Sequence, residues 1–183
     1  MLREYDKVIK GLHQTTIETI RPFCQQPSNR NTAFEFVIHQ NHEEARAQVQ
    51  HLLALIFTDG SVRQDLTGIA VAWKRPFERP FVLQHNKNKC NRLPGQWNVL
   101  WETAGRQDDS NEYVAELQAI QKALRILSWQ PKESLPKEAT ICTDCQAAIQ
   151  SIQNPHQQSG QFFLRSILQI VGQLQDRGLK LPL

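Results

Sequence analysis

Three acids carry the chemistry this sequence offers, and each sits where apolar residues set its position. Asp59 follows the run Leu52-Leu-Ala-Leu-Ile-Phe57 and Thr58, with Gly60 next. Asp144 ends a second short run, Ala139-Thr-Ile-Cys-Thr143. Glu116 lies inside the apolar stretch Val114-Ala-Glu-Leu-Gln-Ala-Ile120. Any one acid at the end of a strand reads equally as a turn former or a cap. Two strand-end acids and one helical acid together form a pattern. Carboxylates brought together repel one another and are hard to keep ionised unless a cation shares the site. Oxygen-only ligands suit Mg²⁺ or Mn²⁺, ions that commonly handle phosphates.

The elements that position these acids follow from periodicity. The run from Leu52 is too short to cross a membrane and too rich in Leu, Ile and Phe for a loop, so it reads as a buried strand delivering Asp59, with Gly60 turning the chain. Thr67-Gly-Ile-Ala-Val-Ala-Trp73 is β-like, linked to the first strand by the polar segment 62–66 as in a hairpin. For a third strand, Trp97-Asn-Val-Leu-Trp101 toward Thr103 is favoured over Phe81-Val-Leu83. Asp108-Asp-Ser-Asn111 is an N-cap cluster, and Asp109 with Glu112 has capping-box spacing, so a helix begins there. Its stripe is Tyr113, Val114, Leu117, Ile120, Ala123, Leu124 and Leu127, with Glu116 at the border against the sheet.

After a loop holding Pro131 and Pro136 comes the strand ending at Asp144, then a helix carrying Ala147, Ala148, Ile149 and Ile152, stopped at Asn154-Pro155. Phe162, Phe163, Ile167, Leu168, Ile170, Val171 and Leu174 mark a further helix closed by Gly178. Residues 179–183 read as a strand just beginning. Upstream, Leu2, Tyr5, Ile9, Leu12, Ile17 and Ile20 have the spacing of an amphipathic helix stopped by Pro22, and residues 22–33 read as linker. Phe34–Ile38 reads as a short strand and residues 43–49 as a short helix or turn.

The bulk numbers fit one domain with an appendage in 183 residues: 1–49 as N-terminal helix and connector, 50–183 as the domain. Charged residues at 21% and hydrophobic ones at 40% argue against disorder and against a membrane protein. A net charge of +3 permits nucleic acid as a partner without requiring it. Cys24, Cys90, Cys142 and Cys145 do not form a secreted disulfide framework, and the N-terminus is charged where a signal peptide is apolar. The expectation is a cytoplasmic or nuclear protein. Cys142 and Cys145 lack the second ligand pair that a structural zinc site needs.

Hairpin, third strand, helix, strand, helix, helix gives an α/β domain with a mixed sheet, its first and fourth strands parallel neighbours. Thr58-Asp-Gly-Ser61, Ala115-Glu-Leu-Gln-Ala-Ile120 and Thr143-Asp-Cys-Gln146 resemble the signature blocks of type 1 ribonuclease H. More narrowly, residues 50–183 resemble the ribonuclease H domain at the tail of non-LTR retrotransposon reverse transcriptases of the fungal type, originally part of a larger polyprotein. The resemblance implies a ribonuclease H-like fold with a mixed five-stranded sheet, its last strand incomplete, flanked by helices. It implies hydrolysis of the RNA strand of an RNA–DNA hybrid by two Mg²⁺ or Mn²⁺ ions. Asp59, Glu116 and Asp144 are then the catalytic, metal-binding acids. Asn111 and Gln146 match positions that contact the substrate's minor groove and 2′-hydroxyl. Cys145 stands where many relatives carry serine.

Two departures from the family pattern bear on function. The gap between Asp59 and Glu116 is long, with the excess in 75–97; Lys74, Arg75, Arg79, Lys87, Lys89 and Arg92 there read either as a solvated loop or as phosphate contacts. The sequence ends at Leu183, before the family's Gly-His loop and the helix bearing a fourth acid. The expectation from this is impaired hybrid cleavage, with a non-catalytic retrotransposon remnant that binds nucleic acid or a partner as the alternative.

Overall fold

A computed structural model describes residues 34–35, 37–39, 41–49, 54–63, 66–74, 90–93, 97–106, 111–155 and 159–182. The helix expected over 2–20, the linker after it and the strand candidate Phe81–Leu83 lie outside them. The described elements are β1 (Phe34–Glu35), α1 (His42–Val49), β2 (Leu55–Arg63), β3 (Leu66–Lys74), β4 (Cys90–Leu93), β5 (Trp97–Arg106), α2 (Glu112–Ser128), β6 (Thr140–Cys142), α3 (Gln146–Gln153), α4 (Gln161–Asp176) and β7 (Leu181–Pro182). None of the described helices is long and apolar enough to cross a membrane.

Five strands form one mixed sheet in the order β4-β5-β3-β2-β6. β2 and β3 pair antiparallel from Ile56–Trp73 to Arg63–Leu66, and β2 pairs parallel with β6 from Leu55–Thr140 to Phe57–Cys142. This is the α/β class, the hairpin and the parallel first and fourth strands expected of a ribonuclease H-like chain.

The membership of the sheet corrects the sequence reading in two places. β4 falls inside the stretch assigned to a basic insertion, and it is a strand because Cys90–Leu93 pairs antiparallel with Trp97–Leu100. The fifth strand expected at the C-terminus, β7, is hydrogen-bonded instead to β1 in a parallel two-stranded ladder, Phe34 opposite Leu181. Among the described residues it meets the large sheet ahead of β6, through a bridge between Glu138 and Lys180 in which the Ala139 N–H donates to the Lys180 carbonyl at 3.0 Å and the Lys180 N–H to the Lys137 carbonyl at 2.9 Å.

α2, α3 and α4 form a layer on one face of the sheet. The core between them includes Ile56, Val71, Trp73 and Leu100 from the strands and Leu117, Ile120, Leu124, Leu164, Ile167 and Val171 from the helices. α2 is buried over more of its circumference than one stripe, Ala115, Ala119 and Ile126 included, because it has the sheet on one side and α4 on the other. α4 buries Leu164, Ile167, Val171 and Leu174, whereas Phe162, expected in its stripe, is 54% exposed. Its end is a Schellman motif: Gly178 has φ +89°, its N–H donates to the Gln175 carbonyl at 2.8 Å, and the Leu179 N–H reaches the Leu174 carbonyl at 3.0 Å.

Candidate metal centre

β2 outruns β6, and the site occupies the space this leaves. Pairing between them stops at Phe57–Cys142, while β2 continues to Arg63. Asp59 is therefore in the middle of a strand and not at its end, and Gly60 does not turn the chain. Along β2, Ile56, Thr58 and Gly60 are buried, while Phe57, Asp59 and Ser61 face the exposed side. Glycine is needed at position 60 for a different reason from the one expected. A Cβ there would lie 2.6 Å from the Glu116 backbone nitrogen and 2.7 Å from the Ala115 carbonyl carbon. Only a residue without a side chain lets α2 rest on β2 at this point.

That close approach puts the Glu116 side chain into the gap. The Gly60 N–H donates to Glu116 Oε1 at 2.7 Å, and the Thr143 hydroxyl donates to Oε2 at 3.1 Å. Thr143 Oγ1 also accepts the Cys145 N–H at 3.2 Å, so one threonine holds both Glu116 and the turn that follows Asp144. Thr58 ties the same end of β6 to β2, its hydroxyl donating to the Cys142 carbonyl at 3.3 Å. Sequence reading placed both threonines in motif blocks without giving them a role. The signal was the Thr-Asp pair, present at 58–59 and again at 143–144.

The three predicted acids meet here. Asp59, Glu116 and Asp144 each offer a carboxylate oxygen within 4.8 Å of the other two, Glu116 buried and both aspartates exposed. Burial pushes the Glu116 carboxyl up from its ordinary 4.5 to about 7; the Gly60 N–H and Thr143 hydroxyl oppose the rise, and Asp144 and Asp59 add to it by repulsion. A cation shared by the three would relieve both the burial and the repulsion. An all-oxygen donor set of this kind fits a hard divalent ion such as Mg²⁺ or Mn²⁺.

Asn111 and Gln146 stand at the starts of α2 and α3. Asn111, and not Asp109, is the N-cap of α2, its Oδ1 accepting the Val114 N–H at 2.9 Å. Gln146 is exposed on the first turn of α3. Cys142 and Cys145 are free thiols; burial pushes Cys142 up to about 11 and is also the main cause of the upward shift at Cys145, which disfavours the thiolate at both.

No family model and no curated protein matches the sequence. Solved structures similar to the chain include LC11-RNase H1, a compost metagenomic protein, in complex with an RNA/DNA hybrid: 18% identity, 69% of this chain and 81% of that one, TM-score 0.45. RNase H1 from the halophilic archaeon Halobacterium salinarum has 14% identity over 69% and 81%, TM-score 0.39. The N-terminal RNase H domain of rv2228c from Mycobacterium tuberculosis, solved as a fusion with maltose binding protein, has 12% identity over 70% and 79%, TM-score 0.44.

Proposed function

We propose that the chain is a metal-dependent ribonuclease that hydrolyses the RNA strand of an RNA–DNA hybrid, as the retrotransposon domains its sequence blocks resemble would. The observation that carries this reading is the convergence of Asp59, Glu116 and Asp144 at the open end of β6. Mg²⁺ or Mn²⁺, two ions in the family arrangement, would be held by these three acids and would supply Lewis-acid stabilisation and an activated water. The chain's own residues provide the rest. Gly60 and Thr143 fix both oxygens of Glu116, so that carboxylate does not have to be ordered when a cation arrives.

Asp59 and Asp144, both exposed, leave the cluster open to a substrate as large as a duplex. Asn111 would reach the minor groove from the start of α2 and Gln146 the 2′-hydroxyl from the start of α3, the group that separates RNA from DNA. A cap role for Asn111 does not compete with this, since the cap uses Oδ1 and leaves the amide N–H₂ to donate.

The test is cleavage of an end-labelled RNA–DNA hybrid with Mn²⁺ or Mg²⁺, beside Asp59→Asn and a DNA duplex of the same sequence. Metal-dependent scission of the RNA strand, lost in Asp59→Asn and absent on the DNA duplex, is the expected result. A folded chain that binds neither Mn²⁺ nor hybrid would refute it.

A further inference from the structure

Four side chains stand in file on the exposed side of β2, and their chemistry changes at Asp59. In order they are Phe57, Asp59, Ser61 and Arg63. Alternate residues of a strand share a face, so each stands about 7 Å from the next. Phe57 is apolar, and its ring meets that of Trp97 at 5.6 Å. Past Asp59 the file continues with a hydroxyl and then a guanidinium. Arg63 is exposed, and among the described residues no carboxylate stands within ion-pair range of it. An exposed arginine of this kind, two same-face positions along a strand from a carboxylate cluster, is a ready contact for an anion.

The neighbouring strand keeps this ledge low. Ala70 pairs with Asp59 and Gly68 with Ser61, and a Cβ on Gly68 would lie 3.5 Å from Ser61 Oγ, so the hydroxyl leans across bare backbone. Beside Gly68 the ladder between β3 and β5 shifts register, with Ala104 the extra residue between Thr103 and Gly105. A bulge here bends the sheet and adds twist to the hairpin end that carries Arg63.

We infer that Arg63 binds a phosphate of the RNA strand, two phosphates along from the one at the acid cluster, with Ser61 facing the phosphate between. The inference rests on the nuclease reading and adds a direction to it. Asp59 fixes where the scissile phosphate lies, and Arg63 is about 13 Å away along β2. One same-face step of a β-strand is close to the separation of successive phosphates in one nucleic-acid strand. The two backbones therefore keep step over this distance. On the other side of Asp59 the file meets Phe57, which offers nothing to a phosphate, so contacts along β2 extend to one side of the cut.

Binding of a labelled RNA–DNA hybrid, followed by anisotropy over a salt series with Ca²⁺ in place of Mn²⁺, tests this. Arg63→Gln is expected to raise Kd several-fold and to reduce the slope of log Kd against log salt by about 0.9, the share of one phosphate contact. Arg63→Lys should restore the slope. Arg125→Gln, which alters an exposed arginine in the last turn of α2, should leave it unchanged. In Mn²⁺-dependent turnover, Arg63→Gln should raise KM and spare kcat. A neutral 2′-O-methyl methylphosphonate at the second phosphate to one side of the cut should weaken wild-type binding as much as Arg63→Gln does, and the two changes together should cost no more than either. Equal slopes for wild type and Arg63→Gln, or losses that add in full whichever side carries the neutral linkage, overturn the inference and leave the nuclease reading standing. A folded wild-type chain that binds no hybrid overturns both.

Discussion

Replacing Glu116 by glutamine is expected to stabilise the metal-free protein at alkaline pH and to cost nothing in acid. The folded-state carboxyl titrates at about 7 against an ordinary 4.5, so the folded chain holds this proton more tightly than the unfolded one. The associated stability is fully present below pH 4.5 and is lost as pH rises through 7. The gap between those two values corresponds to about 3 kcal/mol, since each pKa step is worth about 1.4 kcal/mol.

Glutamine keeps the shape of the protonated acid and still accepts the Gly60 N–H, and the hydrogen bonds to the charged carboxylate are already contained in its titration at about 7. The variant should therefore exceed the wild type by about 3 kcal/mol at pH 8 with a chelator present. That is a rise of roughly 6 to 12 °C in Tm for a chain of this size. By pH 5 less than about 1 kcal/mol of the advantage should remain. Added Mn²⁺ should reverse the order, because a ligand at a thousandfold excess over Kd contributes about 4 kcal/mol to whichever form binds it. Urea unfolding at pH 5, 6, 7 and 8, with chelator and then with Mn²⁺, measures all of this. A difference between the two proteins that stays constant from pH 5 to 8 would show that Glu116 is not held against its charge.

Other perturbations test the supports of the same centre. Gly60→Ala sets a Cβ against backbone atoms of α2 that cannot step aside, and should lower stability by at least about 2 kcal/mol in urea melts while abolishing the Mn²⁺-dependent rise in Tm. Thr143→Val removes a donor to Glu116 and should push that carboxyl further up, moving the alkaline loss of stability to higher pH in a Tm-against-pH series. Asn111→Ala should cost about 1 kcal/mol through the lost cap, while Asn111→Asp, which restores the acceptor but not the amide donor, should recover stability without recovering affinity for hybrid in an anisotropy titration. Asp59→Asn should fold normally and lose the Mn²⁺-induced rise in Tm.

The parts of the fold legible in the sequence were those written in periodicity. Apolar spacing located β2, β3, β5, α2, α3 and α4, and the order of three short motif blocks brought Asp59, Glu116 and Asp144 into one group before any coordinates. What escaped depended on neighbours. A glycine after an acid looks like a turn, and nothing local says that β2 runs on because α2 needs Gly60 bare against it. β4 has no apolar alternation, and Cys90–Leu93 is a strand because β5 offers it a ladder. β7 was legible as a strand, but its partner Phe34–Glu35 comes from the other end of the chain, beyond the reach of any local pattern. Phe162 was placed in the buried stripe on hydrophobicity alone, although Leu164 takes the inward position.

The distances along the chain between the site's contacts give it a place in the order of folding. Gly60 and Glu116 are 56 residues apart, and Thr58 and Cys142 are 84 apart. No short fragment contains the centre, and its last wall, β6, joins by parallel pairing that has to close a long loop first. α2 can form helix early from its own cap and stripe. Cation affinity must wait for the slowest arrival, so on refolding a Mn²⁺-dependent signal would lag the helical one and would act as a clock for completion of the sheet.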